Sequence, residues 1–209
     1  MKPRRALLVI DVQNEYFTGN LPIEYPPTEI SLPNITRAID AARAADIPVI
    51  IIQHTAPAGA PIFDKGSPGW ELHAEIAKRP YAALFEKTSA SSFAGTGLGE
   101  WLTAHKIDTL TIVGYMTHNC DATTTFDAAG SGYSVEVLSD ATGSLPYENR
   151  AGAASAEEIH RVFTVVMHSN FAAVLETSAW IESVETGRAP ERGNLLVSNQ
   201  TARNKRGAA

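Results

Sequence analysis

Three side chains with complementary chemistry fall at one kind of position. Asp11 closes the apolar run Ala6–Asp11, Lys87 follows the run Ala82–Glu86, and Cys120 lies six residues beyond Gly114, where another apolar run ends. A thiolate is a strong nucleophile, and an aspartate within hydrogen-bonding reach can take the thiol proton and pass it to a leaving group. Cys120 directly precedes a helical pattern opening at Asp121. Unpaired N–H groups at a helix start, with an ammonium nearby, favour the thiolate. A nucleophile, a proton carrier and a fixed cation make a kit for covalent catalysis, provided the fold brings them together. Taken singly the signals are weaker: a lone thiol is either a small buried hydrophobe or a reactive group, and Lys87 alone reads as a solvated surface charge.

The elements that must position these residues alternate in type. Ala6–Asp11 (ALLVID), Pro48–Gln53 (PVIIIQ), Ala82–Glu86, Thr109–Gly114 (TLTIVG), Ser134–Leu138 (SVEVL) and Ala172–Leu175 are apolar or β-branched runs of strand length. Helical patterns separate them over Asn34–Ala45, Gly97–His105, Asp121–Ala129, Ala153–Met167 and Ser178–Glu185, with Ser31 and Asn34 as cap candidates for the first. This alternation predicts an α/β chain of three-layer αβα architecture, with a central parallel sheet of about six strands, Rossmann-like. Ligands of such sheets bind at the carboxyl ends of the strands, where the three side chains fall. Thr55–Gly69, rich in Pro and Gly, is expected to be a long surface loop. Residues 1–185 are expected to form one domain. Residues 186–209 lack periodicity and carry Arg188, Arg192, Arg203, Lys205 and Arg206 against Glu191, the pattern of a C-terminal tail that is flexible or contacts a partner.

Composition narrows the classes. A chain of 209 residues with 44% hydrophobic and 19% charged residues can bury one proper core. Its net charge of −6 argues against a nucleic-acid binder. One cysteine allows no intrachain disulfide and no Cys-rich zinc module. The longest apolar runs fall far short of the ~20 residues a membrane helix requires. Lys2, Arg4 and Arg5 before an apolar stretch mimic a signal peptide, but the stretch stops at Asp11 with no small-residue cleavage site after it. The reading is a soluble cytoplasmic protein with a small-molecule substrate and no nucleic-acid or membrane partner. Gly95-x-Gly97-x-Gly99 lacks the last glycine spacing of a dinucleotide fingerprint and is not read as a phosphate loop.

Three stretches, in order along the chain, resemble the isochorismatase-like cysteine hydrolases, the superfamily that includes nicotinamidases, N-carbamoylsarcosine amidase and ureidoacrylate amidohydrolases. DVQNEYF (Asp11–Phe17) is similar to the opening motif. Lys87–Leu98 (KTSASSFAGTGL) is similar to the lysine motif, with its Ser-Phe and Gly-Thr-x-Leu spacing. GYMTHNC (Gly114–Cys120), followed by Thr123–Ala128, resembles the nucleophile motif. The resemblance spans about residues 5–180 and implies the triad Asp11, Lys87 and Cys120. It further implies a non-proline cis peptide at Tyr115–Met116, with the N–H groups of Met116 and Cys120 as an oxyanion hole, and a homodimer or homotetramer.

Cofactors are expected to be none. Nicotinamidases of the family carry an Asp-x-His pair after the second strand and a further histidine, whereas this chain reads Ile52-Gln53-His54-Thr55. His54 and His73 would be two ligands lacking a third, so no metal is expected. Substrate-pocket candidates are Phe17, His54, Trp70, Tyr115 and His118, with core packing for Phe17 and loop anchoring for Trp70 as the plain alternatives. Asp121 stands where the family usually has a small apolar residue; it is either an extra carboxylate near the site or a helix N-cap facing solvent, and the second reading is favoured because acidic residues suit the first helical turn. His105, His160 and His168 lie on helical segments and read as structural or solvated. Trp101 and Trp180 are candidates for burial at a subunit interface.

These features favour a cysteine-dependent amidohydrolase that cleaves a C–N bond of a small amide or carbamoyl compound through a thioester. An isochorismatase-type vinyl-ether hydrolase is disfavoured by Cys120, and a non-catalytic binding protein by the intact triad. The missing zinc motif disfavours nicotinamide. No arginine cluster near the motifs would read a substrate carboxylate; Arg79 and Arg150 are the nearest candidates.

Overall fold

Side chains in a strand alternate between faces, and the first strand buries both. In β1 (Arg5–Ile10), Leu7 and Val9 join one apolar cluster while Ala6, Leu8 and Ile10 join the other, and all six residues are buried. A strand covered on both faces belongs inside a parallel sheet. The computed structural model describes residues 2–207 and has this arrangement.

After β1 come a 3₁₀ turn (Asn14–Tyr16), α1 (Thr28–Ala44), β2 (Val49–His54), α2 (Ala74–Ala77), β3 (Ala83–Lys87), α3 (Leu98–Ala104) and β4 (Thr109–Tyr115). A π-helical turn (Thr117–Asp121) leads into α4 (Ala122–Gly130) and β5 (Ser134–Gly143). A hairpin of β6 (Tyr147–Asn149) and β7 (Gly152–Ala154) precedes α5 (Ala156–Asn170), β8 (Ala173–Leu175), α6 (Thr177–Thr186) and α7 (Leu195–Gly207). The six-stranded sheet has the order β3-β2-β1-β4-β5-β8, with every neighbouring pair parallel. One cluster packs α1 and α6 on the sheet through Ile35, Ile39 and Trp180; the other packs α3, α4 and α5 through Leu98, Leu102, Ala128 and Met167. This is the three-layer αβα fold.

The chain runs outward from β1 to β3, then returns across the sheet to place β4 on the other side of β1. That reversal opens a crevice at the carboxyl ends of β1 and β4. Backbone contact is closest there: Gly114 pairs with Ile10 and has φ +121°, and a Cβ would collide with the Ile10 carbonyl oxygen. Only glycine fits this conformation and this approach.

Several elements differ from their sequence-based bounds. The first helix begins at Thr28, not Asn34, because Pro33 sits inside the helix instead of breaking it. Ser31 is therefore buried within α1, its hydroxyl 2.8 Å from the Tyr115 hydroxyl, and caps nothing. β5 continues five residues past Leu138, to Gly143. The β6–β7 hairpin takes residues 147–152, where no element was expected, and also Ala153 and Ala154, which the sequence placed at the start of a helix that begins only at Ala156. Thr55–Gly69 is a loop whose one ladder contact is a bridge between Ala56 and Asp64. Trp180 lies in the core, its indole N–H donating to Glu136 (2.8 Å) and Thr111 (3.0 Å), so it is unavailable to an interface. In the C-terminal segment, where the sequence shows no periodicity, the structure has α7. No described helix is long and apolar enough to cross a membrane.

Candidate active site

The carboxyl ends of β1, β2, β3 and β4 converge on one ammonium. Lys87 Nζ lies 2.7 Å from Asp11 Oδ2 and 3.2 Å from Cys120 Sγ. It also approaches the Ser89 carbonyl oxygen at 3.0 Å and His54 Nδ1 at 3.3 Å. The side chains of Asp11 and Lys87 have no solvent exposure, and Cys120 is 6% exposed. Sheet register accounts for part of this: His54 and Lys87 are direct partners at the ends of β2 and β3. Asp11 leaves β1 at φ +50°, a left-handed conformation that aspartate tolerates better than most residues.

Gln13 keeps the exits of β1 and β2 in register after the sheet ends. Its amide accepts from the His54 N–H at 2.9 Å and donates to the His54 carbonyl at 2.9 Å and the Trp70 carbonyl at 2.7 Å. Gln53 also donates to the Trp70 carbonyl, and the Trp70 indole N–H donates to the Thr55 hydroxyl at 2.9 Å. Trp70 thus ties the Pro/Gly loop to the strand ends, which is the anchoring alternative.

Cys120 is not the residue before a regular helix. It sits inside the π-helical turn, a wider coil often found at functional sites. The thiol is pushed well above its ordinary pKa, by burial first and by Asp11 second, with Lys87 opposing both. This reverses the expectation of a thiolate favoured at rest: a site this dry keeps the proton on sulfur until a base removes it. Burial alone would lower the Lys87 pKa, but Asp11 and Cys120 together raise it. The ammonium therefore stays charged between them.

Beside Cys120, the Tyr115–Met116 peptide bond is cis. The Met116 N–H donates to no acceptor among the described residues, and Met116 is 5% exposed. A buried N–H without an acceptor is rare in a folded chain and is free to take one from a bound molecule.

The remaining sequence candidates separate. His54 contacts Lys87, and its pKa is lowered by burial and then by Lys87. Phe17 is half-buried against Tyr115 and His73. Tyr115 is fully buried and hydrogen-bonded to Ser31, so its ring belongs to the core and not to an open pocket. His118 is half-buried, Nδ1 3.0 Å from the Ser144 hydroxyl, its ring edge-on to Tyr147; burial lowers its pKa to about 4. His73 caps α2 by accepting the Glu75 N–H, and no three His, Cys, Asp or Glu side chains among the described residues are arranged to hold a metal. Arg79 pairs with Asp40 and Glu75, away from the triad.

Two residues escaped the sequence reading. Asp121, expected to face solvent, has no exposure, and neither carboxylate oxygen has a hydrogen-bond partner. Burial, with Asp11 adding to it, raises its pKa well above the carboxylate range. The α4 pattern alone could not reveal this, because the π turn rotates Asp121 inward. Tyr147, on the unforeseen hairpin, lies at the rim: its hydroxyl is 4.0 Å from Met116 Sδ, and burial followed by the Cys120 charge raises its pKa. A cavity of about 580 Å³ lies at the other end of the sheet between Lys2, Arg4, Glu136 and Arg192, away from Cys120.

Residues 5–179 match the family model for the isochorismatase domain. A crystal structure of a protein assigned as an isochorismatase, from Burkholderia xenovorans LB400, is 59% identical and superposes with a TM-score of 0.98 over 99% of this chain and 100% of that one. N-carbamoylsarcosine amidase from Thermoplasma acidophilum is 27% identical, with a TM-score of 0.68 over 85% of this chain and 97% of that one. The secreted isochorismatase effector Isc1 of Verticillium dahliae is 38% identical over 138 residues, 66% of this chain and 72% of that protein.

Proposed function

Because the chain belongs to the isochorismatase family, a family of hydrolases that includes nicotinamidase and N-carbamoylsarcosine amidase, we propose that it is a cysteine-dependent amidohydrolase with Cys120 as nucleophile. The observation that carries this reading is the single buried ammonium of Lys87 spanning Asp11 Oδ2 and Cys120 Sγ. A dry thiol requires a base in reach, and Asp11 is that base.

Cys120 gives its proton to Asp11 as sulfur attacks the carbonyl carbon of a small amide or carbamoyl compound. The developing oxyanion takes the Met116 and Cys120 N–H groups, donors of a kind worth ~3 kcal/mol each in the transition state. Protonated Asp11 then delivers its proton to the departing ammonia or amine as the C–N bond breaks, leaving a thioester on Cys120. Asp11, a carboxylate again, takes a proton from water as the water attacks the thioester; acid is released and the thiol restored. Lys87 keeps its charge throughout and holds the other two in place. His54, Phe17 and His118, with Tyr147 at the rim, surround the approach to sulfur.

The test is ammonia release from a panel of primary amides and carbamoyl compounds, with wild type and Cys120→Ala side by side. Ammonia that disappears in the variant supports the reading; undiminished release from the variant overturns it.

A further inference from the structure

We infer that the amino-terminal end of the sheet carries a second binding site, for a small organic anion with an apolar body. The segment between α6 and α7 makes it. α6 ends at Gly187, whose φ of +68° turns the chain, and the stem of Lys2 lies against that turn. The Arg188 carbonyl then accepts from the Ser183 hydroxyl and, at 3.4 Å, from Arg5 Nη2. At the far end of the segment Arg192 Nη2 donates to the Asn170 carbonyl at 3.1 Å. Gly193 abuts α5 so closely that a Cβ would collide with the His168 carbonyl oxygen. The segment is thus a strap, pinned to the start of β1 on one side and to the end of α5 on the other.

Ala189 and Pro190, in the middle of the strap, line the cavity of about 580 Å³ together with the first residues of β4 and β5 and with Ala173 of β8. Small-molecule sites have volumes of ~300–1,000 Å³ and combine apolar walls with a few placed polar groups. Both are present here. Pro3, Val135, Ala173 and Pro190 supply apolar surface. Val135 and Ala173 are buried in paired strands, so this part of the wall is as rigid as the sheet itself.

Charge sets the sign of the ligand. The charged residues lining the cavity are Lys2, Arg4 and Arg192 against Asp108 and Glu136. Both acids are already neutralised, Asp108 by Arg4 at 3.1 Å and Glu136 by Arg5 at 2.8 Å. Among the described residues, neither Lys2 nor Arg192 has a carboxylate within ion-pair distance, so two positive charges are left over. The chain as a whole is acidic, with a net charge of −6, so this concentration of cations is local. It fits a carboxylate carried on a compact hydrocarbon body. The anion takes charge-assisted hydrogen bonds from Lys2 and Arg192, and the hydrocarbon covers Val135 and Ala173. The triad stands at the opposite end of β1, so this ligand does not meet Cys120 and the site is independent of the reaction proposed there.

The experiment is isothermal titration calorimetry of the full-length protein with benzoate, cyclohexanecarboxylate, benzyl alcohol and benzylamine. Saturable binding of at least one of the two acids is expected, with the alcohol and the amine weaker by about tenfold or more. Lys2→Ala should weaken acid binding about tenfold, since it removes one charged donor and leaves the strap pinned. Ala189→Trp, at an exposed position of the strap, should abolish binding by filling the cavity. Each variant should keep the wild-type far-ultraviolet circular dichroism spectrum; should Ala189→Trp misfold, Ser134→Trp, at another exposed lining position, replaces it. Absence of saturable binding by either acid overturns the proposal. So does acid binding that Lys2→Ala or the tryptophan variant leaves unchanged, which would place the acid elsewhere on the protein. An alcohol that binds as tightly as the acids overturns it as well, by removing the role of charge.

Discussion

β1 carries a buried ion pair at each end, and the two are built oppositely. At its amino end Arg5 donates to both carboxylate oxygens of Glu136 at 2.8–3.0 Å, with side-chain exposures of 2% and 3%. Glu136 also accepts from the Thr111 hydroxyl and the Trp180 indole, and Arg5 reaches Ser183, so the polar groups are satisfied. At the carboxyl end Lys87 alone serves Asp11, Cys120 and His54, while Asp11 Oδ1 and both Asp121 carboxylate oxygens lack a hydrogen-bond donor. Removing charge from water is costly, and each hydrogen bond offsets part of that cost. The amino-end pair is fully satisfied; the carboxyl-end pair leaves lone pairs and the Met116 N–H unfilled, as the proposed reaction requires.

This contrast breaks most sharply at the nucleophile. Cys120→Ala should fold normally and lose turnover by ~10⁴-fold or more, and Asp11→Asn should approach the same loss, measured as ammonia release. Glu136→Ala should do the reverse. It strands the Arg5 charge and should cost ~3–5 kcal/mol of stability by urea unfolding, with turnover of the folded fraction unchanged. If Glu136→Ala abolished activity without loss of stability, the division of labour along β1 would be wrong.

Asp121 sharpens the comparison from the other side. A buried carboxyl with no partner is a liability for the fold, so Asp121→Val should raise stability by ~1–3 kcal/mol, seen as a higher Tm. A lower Tm would mean that the carboxyl is paired in solution. The pH dependence is smaller. His118 and His160 are both pushed down to about 4, chiefly by burial. Between their ordinary 6.5 and about 4 the unfolded chain binds protons that the folded chain does not. Stability is therefore complete above about pH 6.5 and falls as pH drops toward 4. His160→Gln should flatten the decline of Tm across that window. The smallest effect belongs to chelation: His54 is engaged with Lys87 and His73 with α2, so dialysis against a chelator should leave turnover unchanged. Stoichiometric zinc by elemental analysis would contradict that expectation.

The sheet was legible because burial on both faces forces continuous apolar runs such as LLVI and VIII, and the alternation with helical patterns then dictates topology. Asp11, Lys87 and Cys120 could be placed at strand ends by the same logic. What the sequence hid is local backbone geometry. A π turn in place of an α-helical start carries Asp121 to the interior, and burial with Asp11 beside it reverses the direction of the Cys120 shift. Pro33, tolerated inside α1, moves Ser31 from a cap to the core. α7 gave no periodic signal because its residues from Leu195 to Lys205 are all exposed and none is selected to be apolar by burial.

The pairing of β1 with β4 sets a timetable for synthesis. Arg5 pairs with Thr109 and Ile10 with Gly114, so the central strand waits for the chain to lengthen by a further hundred residues before its second edge is covered. At translation rates of ~5–20 residues per second this is on the order of ten seconds. Until then β1 and β2 present an unprotected apolar edge, the kind of surface to which chaperones bind and along which nascent chains aggregate. Expression at lower temperature, or a synonymous slow codon shortly after β4, should therefore alter the soluble yield of this protein more than changes placed before β2.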